Sequence, residues 1–177
     1  MKNFTAEVKF KDKVPTDKVR YIPVHSRSQK NIMGSKVNQL IDQGVVKVSD
    51  KKANCCLMLT PKNNDIPRDS DKAWRVVNDL VLVNEYIEDK DYHLPTVQEL
   101  LDSLAGHTIF TKVDIPDAYH SVPLDTDQPI VATVPGHGFN VEFLRLPQGL
   151  KTATQIFSQA MASCFEKNNG ENPFARA

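Results

Sequence analysis

Val113-Asp114-Ile115-Pro116-Asp117-Ala118-Tyr119-His120 is the stretch on which the reading of this chain turns. The run ahead of it, Thr108-Ile109-Phe110-Thr111-Lys112-Val113, is rich in β-branched and aromatic residues and predicts a strand ending at Asp114. A carboxylate at a strand end can hold a hard cation while the strand fixes its position. Tyr119 follows five residues later, on a short turn, and could floor a nucleotide. Taken alone, such an aspartate is more often a turn residue at the surface. One carboxylate also falls short of a magnesium site, which needs further oxygen donors, phosphates and water.

Outward from this stretch, the periodicities alternate between helical and extended. Upstream, Thr96 and Glu99 have capping-box spacing after Leu94-Pro95. Val97, Leu100, Leu101 and Leu104 then predict a helix with a buried stripe, ended by Gly106. Trp74-Arg75-Val76-Val77 and Cys56-Leu57-Met58-Leu59 read as strands of a hairpin around a polar loop, residues 62–73. Val45 to Val48 is a short strand. From Ser28 to Gln43, Ile32, Met33, Val37, Leu40 and Ile41 share one helical face, with Gly44 as the stop. Residues 1–27 are charged, broken by Pro15 and Pro23, and predict an extended arm.

Downstream, Ser121 to Leu124 is extended. Ile130 to Val134 and Val141 to Leu146 flank Pro135-Gly136-His137-Gly138 and predict a hairpin. Helical spacing returns from Thr152, where Ile156, Phe157, Ala160, Met161, Cys164 and Phe165 share a face; a loop is expected from Asn168. The order implies an α+β fold with a mostly antiparallel sheet and packed helices.

Composition bounds the function. The chain has 177 residues, enough for one large domain or two small ones. Its 22 basic and 22 acidic residues cancel, so nucleic-acid binding would need a local basic face. Cys55, Cys56 and Cys164 have neither disulfide nor zinc spacing, which suits buried thiols in a reducing compartment. No signal core or membrane-spanning run is present, and no membrane partner is expected. His25, His93, His107, His120 and His137 match no metal-ligand pattern and read as structural or surface residues.

Two further segments could carry chemistry. Arg75 follows a lysine-bearing loop, and arginine can bind a phosphate through two hydrogen bonds. Leu146-Pro147-Gln148-Gly149-Leu150-Lys151 is a tight turn entering a helix, where anions are favoured. Each is weak alone. Their order is specific: Trp74-Arg75, Tyr92-His93-Leu94-Pro95, Leu100-Leu101-Asp102-Ser103-Leu104, Val113-Asp114 with Ala118-Tyr119-His120, Val122-Pro123-Leu124-Asp125, then Phe143-Leu144-Arg145-Leu146-Pro147-Gln148-Gly149. Over roughly residues 20–167 this set resembles the reverse transcriptase of retroviruses and long-terminal-repeat retrotransposons.

The resemblance implies a right-hand polymerase. Residues 1–19 would be an N-terminal arm, 20–89 and 122–151 the fingers, and 90–121 and 152–177 a partial palm that stops before the aromatic-x-Asp-Asp turn. The implied reaction is RNA-directed addition of deoxynucleotides to a primer 3′-OH with two metal ions, Mg²⁺ or Mn²⁺. Asp114 matches the first catalytic aspartate, and the Ile115 backbone carbonyl a supplementary metal ligand. Tyr119 matches the ring under the incoming sugar. Asp117 and Ala118 match positions whose N–H groups meet the triphosphate. Arg75 and Lys62 match the cations on the incoming phosphates. Gln148 and Gly149 match the turn at the nucleotide and template, with Lys151 assisting. The implied partners are an RNA or DNA template-primer, a deoxynucleoside triphosphate and other Pol segments (rest of palm, thumb, RNase H). The implied location is the cytoplasm, including virus-like particles.

Some positions depart from the family pattern. Pro116 stands where small or polar residues are usual, Asn78 where a buried apolar residue is, Val81 where an arginine is, and Thr154 where a proline is. The loop from Asn63 to Lys72 is longer than most. After Gln148 the only carboxylate side chains are Glu166 and Glu171, so the second catalytic motif is missing. The metal ions are therefore expected only with palm aspartates that this sequence lacks, and the chain alone is expected to be inactive. Two readings follow: an RNA-directed DNA polymerase fragment, or a non-catalytic remnant that binds nucleic acid or protein.

Overall fold

A computed structural model describes residues 4–24, 26–62, 65–92 and 94–169. His25, His93, Asn63, Asn64 and the tail from Gly170 lie outside the described residues.

The centre of the fold is β3 (Cys55–Pro61), whose first three residues are buried. Its neighbours on one side are β4 (Trp74–Asp79) and on the other β6 (Val131–Thr133). Completing the five-stranded sheet are β7 (Asn140–Phe143) and β2 (Val46–Ser49), in the order β2-β7-β6-β3-β4. The β3–β4 hairpin is antiparallel and pairs Thr60 with Arg75 and Cys56 with Asp79. β3 and β6 run parallel and the other pairings of this sheet are antiparallel, so it is a mixed sheet with mostly antiparallel pairing. Parallel pairing requires a long crossover, and 69 residues (62 to 130) separate the two strands.

Helix α1 (Arg27–Asp42) covers one face of the sheet through Met33 and Val37. It starts where the sequence predicts. Ser26 Oγ accepts the Gln29 amide at 3.0 Å, and Gln29 Oε1 accepts the Ser26 amide at 3.4 Å. These bonds satisfy donors that a helix start otherwise leaves open. Gly44, at φ 66°, supplies the left-handed residue that ends it. The turn Pro135–Gly138 docks back on α1: a His137 ring nitrogen pairs with the Lys30 carbonyl at 2.8 Å, and Gly34 faces the ring so closely that a Cβ would lie 2.7 Å from it.

Two elements were not anticipated. The arm is not merely extended: β1 (Ala6–Val8) pairs in parallel with β5 (Leu124–Thr126) and buries Ala6, Val8, Phe10 and Val14. Residues Val81–Tyr86 form a short helix, α2, behind the end of β4. Its capping residue is Leu80, which makes no side-chain bond, so there was no cap to read. The arm and α2 meet through Lys11 N donating to the Tyr86 carbonyl and Glu88 N to the Lys9 carbonyl. Helix α4 (Ala153–Asn169) brings Ile156 and Ala160 to the same core and runs through Asn168 and Asn169, where a loop was expected. Cys55 and Cys56 are buried free thiols. No described helix is long and apolar enough to cross a membrane.

The segment that opened the sequence reading departs from expectation. Helix α3 (Val97–Leu104) forms, with the Thr96–Glu99 capping box in place. Its apolar stripe is not buried: Val97 is 74% and Leu101 56% exposed. The expected strand at residues 108–113 has an apolar sequence but no ladder partner among the described strands, and Ile109 is 88% exposed. Local pattern fixes a helix and its cap. Burial requires an opposing surface, and the described residues supply none for this unit.

The two parts should answer differently to substitution. Leu57→Ala, in the centre of the sheet, should cost about 2–5 kcal/mol in denaturant unfolding. Leu101→Ser or Ile109→Ser should stay within about 0.5 kcal/mol of wild type. A large loss at Leu101 would show that α3 is covered in solution.

Candidate nucleotide-binding site

The β3–β4 hairpin and the turn after β7 face each other across a cavity of about 560 Å³. Lys62 and Arg75 line it from the hairpin, Gln148 and Gly149 from the turn, and Asp117 from the segment after Asp114. Five of the residues predicted from sequence are thereby brought to one space. Lys62 is held at the end of β3 by its backbone, which donates to the Ala73 carbonyl at 2.7 Å. Arg75 is exposed, with Thr60 opposite it in the ladder. The loop between them is anchored by Trp74: its indole N–H donates to the Arg68 carbonyl at 2.8 Å, and the Arg68 guanidinium lies over its ring.

A second cavity of about 260 Å³ is lined by Asp117, Ala118, Tyr119, His120 and Gln148. It shares Asp117, His120 and Gln148 with the first, so the two form one continuous groove. The backbone there is tightly turned. Asp117 sits at φ 49°, a left-handed conformation that aspartate tolerates better than bulkier residues. Ala118–Ser121 follow as a 3₁₀ turn. Tyr119 is half-buried against Phe157 of α4, ring centroids 5.5 Å apart and edge to face. That contact fixes the tyrosine ring at the wall of the groove.

Three predicted residues lie elsewhere. Asp114 and Ile115 stand on the exposed strip ahead of Pro116, outside the lining of either cavity. Lys151 is turned away from the groove: its ammonium bonds Asp89 at 2.8 Å, and Lys11 reaches the same carboxylate at 3.0 Å. Those two partners, Lys151 first, pull the Asp89 carboxyl down to about 2. Among the described residues no three His, Cys, Asp or Glu side chains converge as metal ligands would. Asp114 with the Ile115 carbonyl is far from the near-octahedral oxygen set of Mg²⁺. These donors do not hold the ion by themselves.

The structure also adds residues that the sequence reading passed over. Lys36 and Gln39 of α1 and Gln43, which caps its C-terminal end, line the larger cavity. Their spacing at i, i+3 and i+7 puts them on one helical face, a signal present in the sequence. His120, expected to be a structural or surface residue, lines both cavities. Burial pushes its pKa below the ordinary 6.5, against a smaller upward pull from Asp117. The imidazole is therefore neutral at pH 7, and the positive charge of the groove comes from Lys36, Lys62 and Arg75.

Comparison with known proteins shows the family. The family described as reverse transcriptase (RNA-dependent DNA polymerase) matches residues 60–175. The retrovirus-related Pol polyprotein from transposon 412 of Drosophila melanogaster is 27% identical over 162 residues, 92% of this chain and 13% of that protein. The transposon Tf2-3 polyprotein of Schizosaccharomyces pombe is 30% identical over 127 residues, 71% of this chain and 9% of its own length. The Pol polyprotein from transposon opus of Drosophila melanogaster is 27% identical over 151 residues, 84% of this chain and 14% of that protein. The chain thus spans between 9% and 14% of these relatives. It belongs to the reverse transcriptase family, in the branch of long-terminal-repeat retrotransposon Pol proteins.

The lowered pKa of His120 gives a signed pH dependence. Its folded-state value lies below the unfolded 6.5, so the native state binds fewer protons. The associated stability is fully present above about pH 6.5 and is lost as pH falls through the folded value. Thermal melts of wild type and His120→Gln, compared between pH 7 and pH 5, should show wild type losing more. Equal losses would place His120 in water.

Proposed function

We propose that this chain forms the fingers and the leading part of the palm of an RNA-directed DNA polymerase encoded within a retrotransposon Pol protein. The observation that carries the reading is the convergence of Lys62, Arg75, Asp117, Gln148 and Gly149 on one 560 Å³ cavity from elements far apart in sequence. A space of that size admits a nucleoside triphosphate. Arg75 can hold its phosphates by paired hydrogen bonds and Lys62 as a mobile point charge. The Asp117 and Ala118 backbone N–H groups are assigned to the triphosphate. Pro116 removes one N–H of this segment but leaves those two. Tyr119 is assigned to the sugar: a fixed bulky ring leaves no room for a 2′-hydroxyl and selects deoxyribose. The fingers are assigned to residues 20–89 and 122–151, the palm portion to 90–121 and 152–177, and the arm to 1–19.

Asp114 is assigned as the first carboxylate toward Mg²⁺ or Mn²⁺, with the Ile115 carbonyl beside it. Two-metal phosphoryl transfer needs both ions clamped between fixed donors. Of the carboxylates such a site needs, these 177 residues are assigned one, Asp114; the groove is assigned to the triphosphate, and for the 177 residues by themselves binding is expected without turnover. Template-primer and the remaining Pol segments are the partners of that assembly.

A second reading, a binding module without chemistry, is favoured by one observation. The strip bearing Asp114 is exposed and unpaired among the described residues, and a catalytic carboxylate needs a fixed position.

Two measurements test the first reading. Primer extension with Mg²⁺ or Mn²⁺ should give no product from the isolated chain; robust incorporation would sink the separation of binding from catalysis. Titration with dATP, followed by fluorescence of Trp74, the single tryptophan, should saturate for wild type. Arg75→Ala should weaken it about tenfold or more. No saturable signal from wild type, checked by equilibrium dialysis, would refute nucleotide binding.

A further inference from the structure

Four polar ties hold the Gln148–Lys151 turn, and all come from β4, α2 and the residues just after α2. Asn78 Nδ2 donates to the Gln148 carbonyl at 3.3 Å. Asn84 Nδ2 donates to the Gly149 carbonyl at 3.0 Å. Asn84 Oδ1 accepts the Lys151 backbone N–H at 2.9 Å. The Lys151 ammonium bonds Asp89 at 2.8 Å. Asn84 thus uses both ends of its carboxamide on two backbone groups of one turn, a geometry that fixes the turn's orientation as well as its position.

The turn needs such a hold. Gly149 adopts φ 95°, a conformation most residues avoid and one that glycine enters without penalty but also leaves easily. Its two flanking residues project in different directions. Gln148 is exposed at the groove, whereas Leu150 is buried in the core. Leu150 and Ala153 anchor the helix side, which leaves the Gln148 side tethered by the asparagines. Asn78 also lines the groove, but Asn84 is not among the residues around either cavity.

We propose that Asn84, assisted by Asn78, is a positioning residue that sets how Gln148 and Gly149 meet the ligand of the groove without touching that ligand itself. The inference rests on the nucleotide reading of the groove and extends it to a residue outside the groove. It also explains the polar residue at position 78, where the sequence pattern favours an apolar one. The asparagine is half-buried and gives its side-chain donor to the turn.

Amide hydrogen exchange and dATP titration of the 177-residue chain test this together. In Asn84→Ala the Lys151 amide loses its acceptor, so its exchange should accelerate about tenfold while amides of β3 and β6 keep their rates. The dATP dissociation constant should rise about tenfold. Asn84→Asp keeps the acceptor and loses the donor: Lys151 should stay protected while dATP binding weakens. A purely structural role would move melting temperature and exchange everywhere without separating these readouts. Asn78→Val should weaken dATP binding and leave Lys151 exchange unchanged.

The proposal is overturned if Lys151 exchange in Asn84→Ala equals wild type. It is equally overturned if exchange accelerates but the dATP affinity of both Asn84 variants is unchanged. Should Asn84→Ala fail to fold, Asn84→Asp decides through its affinity. Absence of dATP binding by the wild-type chain overturns the nucleotide reading instead, and the Lys151 exchange rate then decides on its own whether Asn84 holds the turn.

Discussion

Asn54 holds together strands that the chain order keeps apart. Its side chain is buried and bonded at both ends: the carboxamide N–H donates to the Pro129 carbonyl at 2.8 Å, and its oxygen accepts the Val131 amide at 2.9 Å. Its backbone N–H adds a third bond, to the Val131 carbonyl at 2.9 Å. Buried polar groups are tolerated only when paired, and a lost partner costs more than the bond contributes. These bonds set the register of parallel β3 and β6, a pairing only two residues long. Everything at the groove hangs from it. β3 carries β4 with Arg75 on one side, and β6 carries β7 and the Gln148 turn on the other. A slip of one residue between β3 and β6 would turn every side chain of the displaced strand to the opposite face.

The groove therefore derives from long-range geometry, and this explains which parts were legible in sequence. Helix α1 could be read because its stripe and glycine stop lie within the helix and its flank, and its Ser26 cap, equally local, appeared only in the fold. The β3–β4 and β6–β7 pairs could be read because hairpins are local. Helix α2 was missed: it has six residues, no side-chain cap and two β-branched valines, and it exists because Val83 packs in the core. Strand β1 was missed because three residues carry no period, and its pairing with β5 spans more than a hundred residues. The parallel β3–β6 contact was equally invisible. Neither strand differs in composition from an antiparallel one.

The site was legible by a different route. Lys62, Arg75, Asp117, Gln148 and Gly149 are unremarkable one by one, and their meeting could be anticipated only from an ordered resemblance. What the resemblance did not supply was the local support. Lys36, Gln39 and Gln43 sit on the polar face of a helix whose apolar face is plainly core, and such faces usually look only at water. Asn78 looked like a flaw in a strand. In the fold it has a carbonyl to bond, and that carbonyl belongs to the residue whose placement matters at the groove.

The unburied unit shows where local rules stop. Helix α3 satisfies its first-turn donors through Thr96 and Glu99, so it can form without a partner. Its stripe and the strip after it are apolar without being covered, and leaving such residues in water forgoes roughly 1.5–3 kcal/mol for each large side chain. Sequence and environment disagree here, which marks the unit as made for a surface that the described residues do not provide. Between Asp114 and Asp117 the chain passes from this uncovered strip into the walled groove. Tyr119, three residues after Pro116, is already packed on Phe157. The half of the motif that lines the groove is thus held by this fold. Asp114 stands on the uncovered side, and an exposed strip of this kind gains a fixed position only when it acquires a packing partner.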